Sequence, residues 1–249
     1  MAQPAAHADP LGILPDERAA FANLLSGGRM NTYDAAVTLA AARGDHVEAL
    51  EIYAYNMALA AAYLGPLHIL EVATRNSLHA ELSRYTGRDD WWDSSTIHLV
   101  ARQQAAITEA EDKIDRRLRG RQRLTERTPD DVVAALDFGF WCGLLGRGDT
   151  SAGMPYEREI WQPAARRAFP GYRGQRGALW ELYDDVREFR NRIGHHEPVH
   201  QLDVKVQTNK IFKLIDYVSR PVAEWTGRRS RLGFIASKPP GSADPVRTF

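Results

Sequence analysis

Arg190, Asn191 and His195 are the side chains with which a protein can cut a phosphodiester without a metal. An imidazole gives or takes a proton near neutral pH. A guanidinium grips phosphate through paired N–H donors and steadies the charge that builds during transfer. An amide fixes a neighbour or the substrate. RNA brings its own nucleophile, the 2′-hydroxyl.

The segment 177–193 that carries them reads as a helix. Leu179, Leu182, Tyr183, Val186 and Ile193 form one apolar stripe. Arg190 falls on that stripe, one turn beyond Val186. A guanidinium on a core-facing line is costly unless it is paired or lines a cavity. Asn191 and His195 share a face if the helix reaches His195, although Gly194 is placed to end it early. Two plainer accounts fit the same residues. An arginine near a helix end often snorkels to solvent, and a histidine in the last turn often complements the helix dipole.

The rest of the chain reads as further helices. Residues 1–14 have the composition of a disordered tail. Pro15-Asp16-Glu17 opens a helix that Ser26-Gly27-Gly28 ends. A second runs over 31–43. The longest covers 47–85, is apolar nearly all round in its first half, and is expected to break or kink at Gly65-Pro66. A polar helix follows over 95–118. Thr128-Pro129-Asp130-Asp131 starts another, carrying Val132, Val133, Leu136, Phe140 and Trp141. Helices over 156–169 and 203–225 complete the set, the last with Ile211, Leu214, Ile215, Val218 and Val222 on one stripe. From Arg228 to Phe249 the composition suggests a flexible tail. No convincing strand pattern and no long repeat is present. The fold class is all-α, a helical bundle forming a single domain over 15–227.

Composition narrows the function. The 249 residues include 32 Lys+Arg and 32 Asp+Glu, so nucleic-acid binding would need a local basic patch rather than bulk charge. Arg116, Arg117, Arg119, Arg121 and Arg123 supply one candidate, against the ordinary reading of a solvated charged loop. The single cysteine, Cys142, excludes an intramolecular disulfide and a four-cysteine zinc site, and reads as a small buried side chain. His195, His196, Glu197 and His200 lack helical metal-site spacing and are interrupted by Pro198, so no metal and no other cofactor is expected. No signal peptide and no membrane span is evident, which makes a cytoplasmic protein the default.

A second Arg-Asn pair lies at Arg75-Asn76, with Glu71, Arg75 and His79 stepping by four. That spacing reads either as a surface ladder of i, i+4 pairs, or as Glu71 or Asn76 meeting Arg190 and orienting it. Asp137 to Trp141 reads as core packing.

Arg190-Asn191-Arg192-Ile193-Gly194-His195-His196-Glu197-Pro198 resembles the R-N-x-x-x-H signature of HEPN ribonucleases. With its paired histidines and Glu-Pro it is similar to the Abi-like family, the AbiD/AbiF group of bacterial abortive-infection proteins. LSGGRMNTYDAA, ALEIYAYNMALAAAYLGPLHILEVATRNSL and ALDFGFWCGLL resemble the same family, in the expected order over about residues 24–200. The resemblance implies a HEPN-type helical bundle with additional helices and metal-independent cleavage of RNA. It also implies a homodimer that brings two motifs together, and a role in phage defence or as a toxin. Arg190, Asn191 and His195 match the motif, with His196 an alternative acid or base. The competing reading is a non-catalytic RNA-binding module that clasps a structured partner RNA.

Overall fold

Thirty-eight residues, Ala49–Thr86, form one continuous helix with Pro66 inside it. A break or kink was expected because proline removes one i→i−4 hydrogen bond; the helix does not break there. A computed structural model describes residues 15–42, 44, 47–120 and 126–242. The tail 1–14, Arg121, Arg123 and residues 243–249 lie outside the described residues.

The architecture is all-α. In order the elements are α1 (Pro15–Leu24), α2 (Gly27–Ala41), α3 (Ala49–Thr86), a 3-10 turn (Trp91–Asp93), α4 (Ala101–Gly120), α5 (Pro129–Ala135) and α6 (Phe138–Gly143). A two-stranded antiparallel ribbon follows, β1 (Gly148–Asp149) with β2 (Met154–Pro155), then a π-helical turn (Glu157–Trp161) and a 3-10 turn (Ala165–Ala168). The chain closes with α7 (Arg176–Gly194), α8 (Val204–Val218), α9 (Arg220–Arg229) and α10 (Leu232–Ala236).

Local chemistry sets several boundaries differently from the sequence reading. Gly27 and Gly28 open α2 instead of closing α1. The expected helix from Thr128 splits in two. Thr128 and Asp131 form a capping box for α5, and Asp137 then caps α6 by accepting from the Phe140 N–H at 2.7 Å. Asp137 is thus a cap rather than core. The expected helix over 156–169 is the π and 3-10 pair. The expected helix over 203–225 breaks at Ser219, because Pro221 has no N–H to offer the Tyr217 carbonyl. That carbonyl accepts from Gly171 N–H instead, at 2.9 Å.

The chain, expected as one domain over 15–227, divides into two compact units. The first comprises 1–65, 192–208 and 230–249. Its buried residues include Tyr33, Ile52, Leu59, Tyr63, Val199, Leu232 and Ile235. Burial of Leu232 and Ile235 in α10 corrects the expectation of a loose tail from Arg228, as far as Ser242. Gly241 N–H also donates to the buried Glu51 carboxylate at 2.7 Å.

The second unit comprises 66–191 and 209–229. Its core is aromatic: Trp91, Phe138, Phe140, Trp141, Phe169 and Tyr183 are all buried. The Tyr183 ring lies 6.1 Å from Phe138 and 5.7 Å from Phe169, and its hydroxyl shares a 2.8 Å hydrogen bond with Thr74. Cys142 is buried beside the Tyr183 carbonyl, and burial pushes its thiol well up, which keeps it protonated and unreactive.

An 18-residue window of α3 has a mean hydropathy of 1.3, enough by length and composition alone to cross a bilayer, a test that the core helix of a folded domain also passes. Ile52, Leu59, Leu67, Leu70, Leu78 and Leu82 of this helix are buried, whereas Leu64 is exposed. It also carries Glu51, Glu71, Arg75 and Glu81 along its length.

Candidate functional site

The apolar face of α7 runs through Leu179, Tyr183, Val186, Phe189 and Ile193, all buried. The stripe steps by three from Val186 to Phe189, so Arg190 stands on its flank with 44% of its side chain exposed. The expectation that Arg190 sits on the core line is corrected, and with it the desolvation cost. Arg190 Nε lies 3.6 Å from Glu71 Oε2 on α3, where the Glu71 side chain is 27% exposed. With both groups partly in water, the pair orients the guanidinium and stabilises the fold by about 0–1 kcal/mol. Most of the guanidinium's donors stay open to a ligand. Asn191 is half-buried.

The end of α7 differs from its expected form. Gly194 stays helical and His195 caps the helix. Glu197 N–H donates to the Arg192 carbonyl at 2.8 Å and His196 N–H to the Ile193 carbonyl at 3.0 Å, the two bonds of a Schellman motif. The left-handed residue this motif requires is His196, at φ 58°. The His196 carbonyl accepts from Arg29 Nη1 at 3.0 Å. Both His195 and His196 are exposed.

Beyond Pro198 the chain turns inward. Asn56 Oδ1 accepts from the N–H groups of Val199 and His200 at 2.7 and 3.1 Å. The His200 ring stacks on Tyr33 with centroids 5.2 Å apart, and burial lowers its pKa. Burial pushes the Tyr33 hydroxyl up to about 12. His200 is therefore committed to packing. Among the described residues, no three His, Cys, Asp or Glu side chains gather as a metal would need.

The second Arg-Asn pair forms no i, i+4 ladder. Arg75 Nε donates to Asn76 Oδ1 at 3.2 Å, and His79 Nδ1 accepts from Trp91 Nε1 at 3.2 Å. Of Glu71 and Asn76, the one beside Arg190 is Glu71.

Arg116, Arg117 and Arg119 lie on the last turns of α4, where cations complement the helix C-terminus. Arg116 bonds the Asp112 carbonyl at 3.2 Å, and Arg117 sits 3.8 Å from Asp131. Arg127 nearby is taken by Glu111 and Asp115. Acids are thus interleaved with this basic stretch, and among its described arginines Arg116 and Arg119 are exposed and outside ion pairs.

The sequence reading missed a second arginine group. Arg166, Arg167 and Arg173 gather at one cavity, although the first two fall in the expected helix over 156–169 and the third beyond it. The signal present was local: Phe169-Pro170-Gly171-Tyr172 between the arginines marks a turn that brings them together.

No protein-family model, no curated protein and no solved structure matches this chain.

Proposed function

We propose that this protein is a metal-independent endoribonuclease of the HEPN type, acting in the cytoplasm as a homodimer in phage defence or as a toxin. The observation that carries the reading is Arg190. A half-exposed guanidinium, aimed by Glu71, precedes Asn191 and the exposed cap histidine His195 at the end of one helix. That order matches the R-N-x-x-x-H pattern.

In this reading His195 takes the proton from the 2′-hydroxyl of the RNA. The resulting oxygen attacks the adjacent phosphorus, and the bond from phosphorus to the 5′-oxygen breaks. The leaving oxygen picks up a proton, giving a 5′-hydroxyl and a 2′,3′-cyclic phosphate. Arg190 offsets the added negative charge on the phosphoryl oxygens, and Asn191 holds substrate or imidazole in place. His196 is the alternative proton carrier.

The test is paired expression of the wild type and the His195→Ala/His196→Ala double variant in a bacterial host, following growth and total RNA together. Growth arrest with RNA fragments ending in cyclic phosphate, formed by purified wild type in EDTA and absent from the folded variant, supports the enzyme. Identical behaviour of the two, with both still retaining RNA, overturns it in favour of an RNA-binding module.

A further inference from the structure

Arg166, Arg167 and Arg173 surround a cavity of about 540 Å³ in the second unit, with Trp161 and Tyr172 among its walls. Among the described residues that line it, none is acidic. A concentration of guanidiniums with no carboxylate in the wall favours an anion.

Two of the three guanidiniums are held in advance. Arg167 Nε donates to Glu81 Oε2 at 3.0 Å, Glu81 being outside the lining of the cavity. Arg173 Nη1 donates to the carbonyls of Pro170 and Tyr172 at 2.6 and 3.0 Å. Each keeps further N–H donors. Arg166 is exposed, and its side chain has no partner among the described residues.

The aromatic wall is fixed as well. Tyr172 Oη donates to the Gln175 carbonyl at 2.7 Å, and its ring lies 4.8 Å from Tyr217. The same ring covers Gly174 so closely that a Cβ there would come within 2.6 Å of Tyr172 Cζ. The Trp161 ring stands edge-on to it at 6.4 Å and is backed by Phe169 at 6.1 Å. Burial and Tyr217 push the Tyr172 phenol up, so it stays uncharged beside an anion. Trp161 is itself buried and backs the wall, so the half-buried Tyr172 is the ring open to a ligand. An aromatic ring beside three guanidiniums has the chemistry of a base-and-phosphate site.

We propose that this cavity binds a nucleoside phosphate, the guanidiniums taking the phosphate oxygens and the Tyr172 ring the flat base. None of the residues of the ribonuclease reading is used, so either can fail alone.

The test is calorimetric titration of the full chain with AMP, adenosine and inorganic phosphate, and with a short 5′-phosphorylated 2′-O-methyl oligonucleotide, which lacks the nucleophile for self-cleavage. AMP is expected to saturate one site per chain. Arg166→Gln and Arg173→Gln should each weaken it by about tenfold or more, the loss of a charge-assisted hydrogen bond. Adenosine and inorganic phosphate alone should bind at least about tenfold more weakly, since each makes only half of the contacts. An oligonucleotide that binds more tightly than AMP makes the natural ligand a strand end, and one that does not makes it a free nucleotide. Absence of saturable binding by both overturns the proposal, as does inorganic phosphate matching AMP. So does unchanged binding in the Arg166→Gln variant, which removes no internal contact and keeps the result independent of folding.

Discussion

Nε of Arg190 on α7 lies 3.6 Å from Oε2 of Glu71 on α3, across 119 residues of chain. Both side chains keep a share of water, so the pair is a poor stabiliser and a reasonable pointer. Glu71→Ala should cost about 1 kcal/mol or less, a melting shift of a few degrees for a domain of this size. Cleavage of RNA should fall much further, because the guanidinium loses the group that aims it. Circular-dichroism melting and RNA cleavage measured on the same preparation decide this. Unchanged cleavage would remove Glu71 from any positioning role.

His196 occupies a left-handed position where most helices place glycine. A side chain there costs about 1–2 kcal/mol, partly offset by the greater freedom glycine has in the unfolded chain. The Arg29 bond goes to the His196 carbonyl and survives the loss of the ring. His196→Gly should therefore raise stability by about 0.5–1 kcal/mol, read from denaturant midpoints. With His195 as the proton carrier, cleavage should persist in this variant. A loss of both stability and activity would show that the His196 imidazole has a task of its own.

What was legible in the sequence follows the range of the forces involved. Thr128-Pro129-Asp130-Asp131 announces α5 because a capping box is complete within four residues. Asp137 was read as core because its neighbours are apolar, although a cap needs only the next turn. Phe189 and Arg190 are both compatible with a helical stripe after Val186, and only the packed neighbours choose the step of three. Leu232 and Ile235 are buried, but the Gly, Pro and Ser around them gave the composition of a tail. The residue types of the Arg190 motif were visible, whereas the identity of its partner on α3 could only be guessed. Arg166, Arg167 and Arg173 were invisible as a group, because the helix expected over 156–169 holds the first two and leaves Arg173 beyond the Pro170-Gly171 turn.

His79 and His200 both have pKa values lowered by burial below the ordinary imidazole value. For His79 the charges of Asp89 and Asp130 oppose that shift. A lowered folded value means the unfolded chain binds more protons, so stability rises with pH. The contribution is complete above about 6.5, the unfolded value, and is lost as pH falls below it toward the folded values. Urea midpoints should therefore drop between pH 7.5 and pH 5.5, values spanning about 6.5. His200→Phe keeps a ring against Tyr33 without a titrating group and should flatten part of that slope. An unaltered slope in this variant would assign the dependence elsewhere.

Gly171 and Gly177 make opposite demands although six residues apart. The Gly171 N–H donates to the Tyr217 carbonyl, the acceptor that Pro221 leaves vacant in α8. That bond draws the two backbones so close that a Cβ on residue 171 would lie 2.8 Å from the Asp216 carbonyl oxygen. Backbone cannot swing aside as a side-chain tip can, so Gly171→Ala should either lengthen the hydrogen bond or displace the end of α8. The expected cost is roughly 1–3 kcal/mol. Around Gly177, in the first turn of α7, nothing lies within 4 Å of such a Cβ. Gly177→Ala should be neutral or stabilising by about 0.5 kcal/mol, through the reduced freedom of the unfolded chain. Both variants add one methyl group, so any difference in their urea midpoints reports the local backbone approach. The turn 170–174 also carries Tyr172 and Arg173, so Gly171→Ala should weaken AMP binding while Gly177→Ala leaves it intact. Equal stability of the two variants would mean that the contact between Gly171 and the end of α8 does not hold the turn.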